Sequence, residues 1–541
     1  MQINKILQKD YTLAQDFYQL KLPLNIDYII PDNDSVRLLS QFVEEMDISD
    51  LFRTYFRIRK NTATPRQMLK IMIYAYMNKI YSSRDIETAC HRDINFMFLL
   101  ENSPAPDHAT IARFRTLHFA PNSKKIMSEV SNYLYELGEV SGETIFIDGT
   151  KIEANANKYT FVWKKAVTKN LAKRLAKLAE FVAACEEKYD LKIAYQNKVS
   201  LHQIKKLRKK LYRIKKEENI TFVHGIGKRK SPLQKDIEQL EESISKLKEY
   251  TKKIYNCGER NSYSKTDQDA TFMRMKEDAM LNGQLKPAYN LQHGVDSEYI
   301  TWLSIGPQPT DTTTLIPFLK DMEEYLSFKY KNITADSGYE SEENYLFIEE
   351  NQQLAFIKPS NYEISKTRRY RTDISRRENM MYDAKQDVYI CKNEKELKVT
   401  GTRKTKSKTG YVSEKTRYSC EDCKDCPYKT SCIKGNNSTI PMEERSKHLE
   451  VSKVFQQKRN EDLERILSDE GCQLRMNRSI QAEGSFADTK EDMSFRRYLC
   501  RGTANVLAES TLLAIAHNVN KLHHKIQADK TGQHLFELKT A

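Results

Sequence analysis

Between Lys164 and Tyr255, apolar side chains return by alternating steps of three and four. Leu171, Leu175, Leu178, Val182 and Cys185 do so, then Ile204, Leu207, Leu211 and Ile214, then Ile237, Leu240, Ile244 and Leu247. Such spacing draws a narrow apolar seam along a helix, and the seam needs a partner helix to cover it. Lysine and arginine surround it, as in IKKLRKKLYRIKK (204–216), and HGIGKRKSP (224–232) breaks the run with glycines and a proline. The pattern predicts a projecting, antiparallel, basic coiled-coil arm over 160–260. Solvated faces account for most such charge runs, and contact with a DNA backbone is the sharper alternative.

The arm interrupts something else. Strand-like segments fall at 143–154, 287–306, 331–336 and 354–359, with room for a helix between Thr312 and Phe328 and another over SEENYLFIEEN, capped by Ser341. These imply one mixed α/β core whose strands are spread over about 200 residues by insertion. Ahead of it, residues 31–125 read as helical. Thr64 caps a helix with Pro65 in its first position, and Asp107 caps another that presents Arg113 and Arg115. A compact DNA-binding module and a plain helical bundle with surface arginines fit this equally. Residues 1–30 form an N-terminal extension, 360–445 a second insert rich in Lys, Arg, Ser, Thr and Tyr, and 528–541 a loosely ordered tail.

Charge narrows the partners. The chain has 88 Lys and Arg against 74 Asp and Glu, giving +14 and a pI near 9.0, a balance that suits a polyanion such as nucleic acid. No stretch reaches the ~20 apolar residues that span a bilayer, and MQINKILQKDYTLAQDFYQL lacks the apolar stretch of a secretory signal. The expected place is the cytosol, where the ten cysteines stay reduced. Four of these, Cys420, Cys423, Cys426 and Cys432, follow C-x2-C-x2-C-x5-C, with Cys391 a possible fifth. Four thiolates at loop spacing can close a structural zinc site and fold an insert too small for its own core. Free buried thiols are the alternative.

The chemistry sits at strand ends. In TIFIDGTKIEANANK, the apolar run Ile145–Ile147 stops at Asp148, and Gly149 follows; in KNITADSGYESEENYLF a strand stops at Asp336, with Gly338 in the turn. A carboxylate at the rim of a buried sheet needs a turn donor, a basic residue or a metal ion. Two such rims can converge, and like charges that close call for a divalent cation, magnesium or manganese for oxygen ligands. In RSIQAEGSFADTKEDMSFRRYLCRG, Glu483 and Lys490 lie seven apart, near two helical turns, with Arg478 upstream and Arg496, Arg497 and Arg501 beyond. Glu491 is a competing carboxylate.

FIDGTKIEANANK, KTDQDATFMRMKEDAMLNGQLKPAYNLQHGVD, ITADSGYESEENY and SIQAEGSFADTKEDMSFRRYL together resemble the DDE transposases of bacterial insertion sequences, in the group with a Tyr-Arg-Glu-Lys signature. The resemblance implies an RNase H-like fold with Asp148, Asp336 and Glu483 as catalytic triad and metal ligands. It implies two Mg²⁺ (or Mn²⁺) ions per site, cleavage at transposon ends, and strand transfer into target DNA. Lys490 matches the signature lysine, Arg478 stands one residue early for the signature arginine, and Met476 and Leu474 lie where the tyrosine would. With Arg496, Arg497, Arg113 and Arg115, these cations are the expected DNA contacts. The partners implied are terminal inverted repeats, target DNA and a second or further copy of the chain. An RNase H-like nuclease that cuts without joining, or a non-catalytic DNA-binding repressor, are the competing readings.

Overall fold

The structure is a computed structural model that describes residues 29–57, 61–193, 199–275, 283–435 and 438–538. Nearly all of the expected N-terminal extension, 1–30, lies outside these. The N-terminal part is helical as expected: α1 (Ser35–Glu45), α2 (Ser49–Arg53), α3 (Pro65–Met77), α4 (Ser83–Arg92), α5 (Ile94–Leu100), α6 (His108–Arg113) and α7 (Ala120–Glu136). Thr64 accepts from the Gln67 amide while the Gln67 side chain accepts from the Thr64 N–H, so two of the helix's unpaired donors are satisfied. Asp107 caps α6, accepting from the Thr110 N–H at 2.7 Å.

The strands follow as β1 (Thr144–Glu153), β2 (Phe161–Trp163), β3 (Ser262–Ser264), β4 (Thr271–Arg274), β5 (Leu285–Asp296), β6 (Tyr299–Gly306), β7 (Asn332–Ala335) and β8 (Leu354–Ile357). β1 is central. It pairs antiparallel with β5 and parallel with β7; β7 pairs parallel with β8, and β6 and β4 pair with the far edge of β5. The spatial order β6-β5-β1-β7-β8, three antiparallel strands continued by two parallel ones, is the RNase H-like arrangement. Ile145, Phe146 and Ile147 are all fully buried, Ile145 and Ile147 in the main core and Phe146 on the opposite side with Phe356, Leu474 and Ala482. That two-sided cover explains the unbroken apolar run.

The arm is built of α8 (Lys164–Lys188), α9 (Leu201–Glu217) and α10 (Pro232–Cys257). Ion pairs Arg174–Glu242 and Lys188–Asp236 fix α8 antiparallel to α10, and Tyr212 bonds Glu241 across from α9. The seam residues bury one another in a core of their own, each large aliphatic contributing about 1.5–3 kcal/mol. β2 pairs with β3 at the arm's root, Trp163 opposite Ser262, so the chain leaves and re-enters the sheet domain side by side.

α11 (Leu315–Tyr325) precedes β7, and α12 (Glu342–Glu350), capped by Ser341 as expected, follows it. The second insert holds short helices α13 (Tyr362–Ser365), α14 (Arg368–Arg371) and α15 (Lys429–Cys432) and strands β9 (Met381–Asp383), β10 (Val388–Ile390), β11 (Glu396–Lys406), β12 (Val412–Cys420) and β13 (His448–Val451). These strands form an antiparallel sheet in the order β13-β12-β11-β10-β9 around Tyr389, Leu397, Tyr418, Cys420 and Val451. The insert therefore has a small core of its own, contrary to expectation: alternate strand positions supply it, a period masked in the sequence by polar residues on the open face.

The chain ends with α16 (Lys453–Leu467), α17 (Asp469–Ala487) and α18 (Thr503–Gln527). α18 is buried along most of its length and packs on α3, α7 and β6, so one hydrophobic core runs from the N-terminal helices into the sheet. The tail is held, not loose. Asn477 exchanges two hydrogen bonds with the Phe536 main chain, Gln481 donates to the His534 carbonyl, and the Gly532 N–H donates to Glu139.

Candidate active site

Asp148, midway along β1, is the first residue past the register that β1 shares with β7, in which Ile147 lies opposite Ala335; Asp336 is the first residue after β7. The expected strand end at Asp148 is thus corrected: β1 runs on to Glu153 against β5, and only its pairing with β7 stops there. The two acids stand at one level where the adjacent parallel strands part, on the side where open α/β sheets place their ligands. Each is oriented by the glycine after it: the Gly149 N–H donates to Asp148 Oδ1 at 2.8 Å and the Gly338 N–H to Asp336 Oδ1 at 2.7 Å. Glu483 arrives from α17, whose buried Ala482 and Leu474 pack over Phe146. Arg478, one and a half turns earlier, reaches Asp148 Oδ2 at 3.4 Å and Glu483 Oε1 at 3.2 Å, tying the helix to the strand. Burial pushes the Asp148 carboxyl up to about 6; the Arg478 guanidinium opposes that, and the charges of Asp336 and Glu483 add to it.

A fourth carboxylate stands here that no sequence motif marked. Asp311, in the loop between β6 and α11, accepts at Oδ1 from Asn290 (2.7 Å) and Gln292 (3.0 Å), both on β5. A Cβ placed on Gly149 would lie 2.4 Å from Gln292 Nε2 and 2.7 Å from Asp311 Oδ1. One on Gly338 would lie 2.9 Å from Asp336 Oδ1 and 3.5 Å from Asp311 Oδ2. Both glycines are therefore required by close approach. The only trace of this in the sequence is the run of Asn290 and Gln292 on one face of a buried strand, polar side chains that need a partner.

The cations divide. Arg478 is engaged by the acids, pairing with both Asp148 and Glu483. Lys490 does not share an exposed face with Glu483: α17 gives way at Asp488–Asp492 to a wider π-helical turn, and Lys490 is turned inward and buried. Arg115 is buried too, donating to Tyr76, Ser83 and the Tyr81 carbonyl, so it braces the helical module and is not presented to a partner. It lies in a second π-helical segment, Phe114–Phe119. Arg113 is exposed at the end of α6, and Arg496 and Arg497 are exposed beside Glu491 and Glu153. Glu491 pairs with Arg496 and stands apart from the acids.

Among the described residues no three acidic, imidazole or thiol side chains close around one point as a ready-made metal shell. The donors around Asp148 and Asp336 are nonetheless all oxygen, and among the described residues neither Asp336 nor Asp311 takes part in an ion pair; both lie beside Gly338. That is the donor chemistry of magnesium or manganese. In the insert, Cys391, Cys420, Cys423, Cys426 and Cys432 line one small cavity with Asp422 and Lys447. Burial, and Cys423 beside it, push the Cys420 thiol up to about 12. No helix of the described residues is long and apolar enough to cross a membrane.

Two family models match the chain: "Transposase DDE domain" over residues 390–523 and "Transposase domain (DUF772)" over residues 24–117. The first spans Glu483, Lys490 and the four-cysteine motif, and the second spans the helices carrying Arg113 and Arg115. Neither a curated protein nor a solved structure gives a significant match.

Proposed function

This chain carries the domains of an insertion-sequence DDE transposase, and from that premise we propose that it cuts DNA at transposon ends and joins them to target DNA at Asp148, Asp336 and Glu483. The observation that carries the reading is the register of β1 and β7, which sets Asp148 and Asp336 side by side, with Arg478 joining Asp148 to Glu483. Asp148, Asp336 and Glu483 would hold magnesium or manganese, two ions to a site, which would supply activation of the attacking oxygen and neutralise charge on the leaving one.

The chain's own residues do the rest. The N–H groups of Gly149 and Gly338 hold one oxygen of each carboxylate, and the other oxygen of Asp148 faces Arg478. Arg478 balances the charge of Asp148 and Glu483 and holds α17 against β1. Because hydrolysis and strand transfer are the same in-line displacement with water or a 3′-OH as nucleophile, one site serves both.

DNA is held, on this proposal, by exposed Arg113, Arg496 and Arg497 and by the lysines of the arm, with a second or further copy of the chain completing the complex. Cys420, Cys423, Cys426 and Cys432 would hold a structural zinc ion in the insert, with Cys391 lining the same cavity. Incubation of the protein with a duplex bearing its terminal repeat and with Mg²⁺ tests the reading: nicks at the repeat boundary are expected. Degradation without regard to the repeat would favour a plain nuclease, and binding without cutting a repressor.

A further inference from the structure

We infer that Asp311 is a metal-facing carboxylate of the site, a positioning residue that works beside Asp148 and Asp336; the inference rests on the DDE reading above. Its geometry is what such a role requires. The Asp311 carbonyl accepts from both the N–H and the hydroxyl of Thr314, at 3.0 and 2.7 Å, which sets the loop. Thr312 donates to the Gly338 carbonyl at 2.9 Å, and Asn344 on α12 donates to the Thr312 carbonyl, so the loop is tied to the turn that carries Asp336. The side chain is then aimed by two amides on Oδ1. Gln292, one of those donors, is itself held at its oxygen by Tyr339 and Thr314. Oδ2 remains on the Gly338 side, toward Asp336.

Electrostatics then asks why the carboxylate is there. A further negative group near two others is unfavourable unless a cation answers it. Arg478 is shared by Asp148 and Glu483, and no lysine or arginine among the described residues pairs with Asp311 or Asp336. Buried Tyr339 registers the crowding: burial chiefly, then the charges of Asp311, Asp148 and Asp336, push its phenol far up. A tether alone would not need the charge, because an asparagine oxygen accepts the same two amide hydrogen bonds. The glycines at 149 and 338 give the same sense from the other side, since both keep open the space between Asp311 and the other two acids.

Asparagine therefore separates tether from charge. Mn²⁺ is titrated into full-length wild type, Asp311→Asn, Asp311→Ala and Asp148→Asn without DNA, following free Mn²⁺ by electron paramagnetic resonance and the melting temperature of each sample. The expected result for Asp311→Asn is Mn²⁺ affinity lowered about tenfold or more, with a metal-free melting temperature at or above wild type because a repulsive charge has gone. Asp311→Ala, which loses the tether as well, should melt lower in the absence of metal. Wild-type Mn²⁺ affinity in Asp311→Asn, with binding lost in Asp148→Asn, overturns the inference and leaves the DDE reading intact. Wild-type affinity in Asp148→Asn overturns the reading beneath it.

Discussion

Asp148 and Asp336 stand at the same level where two neighbouring parallel strands part, one residue beyond the pair Ile147 and Ala335. Backbone hydrogen bonding fixes that relationship, so side-chain packing elsewhere can vary without separating the acids. What the strands cannot fix is Glu483, which depends on how α17 lies across the sheet, and there Arg478 is the link.

Gly149→Ala should cost activity more than stability. The added methyl would meet Gln292 and Asp311, and Gln292 is pinned by Tyr339 and Thr314, so the strain falls on the acids. We expect a folded protein destabilised by about 1–3 kcal/mol with cleavage reduced by roughly 100-fold. Wild-type turnover would show that the close approach has no bearing on the chemistry.

The two arginines of the α6 region should behave in opposite ways. Arg115→Ala removes three hydrogen bonds from a buried guanidinium and should destabilise the fold by about 3 kcal/mol. Arg113→Ala should leave the melting temperature alone, weaken DNA binding, and reduce the slope of log K against log salt by about 1. Unfolding curves and salt titrations of both variants check this, and an Arg115→Ala protein of wild-type stability would refute it.

Asp462 on α16 makes stability depend on pH. It accepts from the Ile357 N–H and the Tyr345 hydroxyl, and burial pushes its carboxyl from 3.8 to about 7, with the Ile357 N–H and Arg465 opposing. The native state then holds its proton over a window, about pH 4 to 7, in which the unfolded chain has released it. Stability from this group is accordingly full below that window and falls as pH rises through it. Asp462→Asn should match wild type near pH 4 and gain on it by a few kcal/mol by pH 8. Denaturant melts across that range decide; a constant difference would place the Asp462 carboxyl at its ordinary value.

Purified protein should carry one zinc ion per chain, released by chelation with loss of order in the β9–β13 sheet. Because that sheet has a core of its own, we expect local loosening and not global unfolding. Elemental analysis together with hydrogen exchange reads both; absence of zinc, with Cys420→Ser exchanging as wild type, would mean that the five thiols are simply packed.

The sequence made legible whatever repeats or is punctuated. The steps of three and four gave the arm and its buried seam, Thr64, Asp107 and Ser341 marked helix starts, and the apolar run before Asp-Ser-Gly marked the end of β7, whereas β1 runs on past its Asp-Gly to Glu153. Non-local geometry stayed hidden. Asp311 has no motif, because its place depends on amides of β5 and a turn after β7. Lys490 was misjudged because a π-helical turn changes the face a residue occupies, while a spacing argument assumes 3.6 residues per turn throughout; Arg113 and Arg115, two apart, lie on different helix faces, and only Arg113 reaches solvent. The insert's sheet was obscured by its polar outer face, and the tail by hydrogen bonds to residues some fifty positions earlier.

The most direct measurement supplies pre-cut transposon ends with a free 3′-OH, target DNA and Mg²⁺, and scores joined product for wild type, Asp148→Asn, Asp336→Asn and Glu483→Gln, with end binding measured on the same samples. Joining is expected in wild type and reduced at least ~100-fold in each variant, while binding of the ends persists in all four. Joining at the wild-type rate by any one of the three would remove that acid from the site, and no joining by wild type that binds its ends would contradict strand transfer itself.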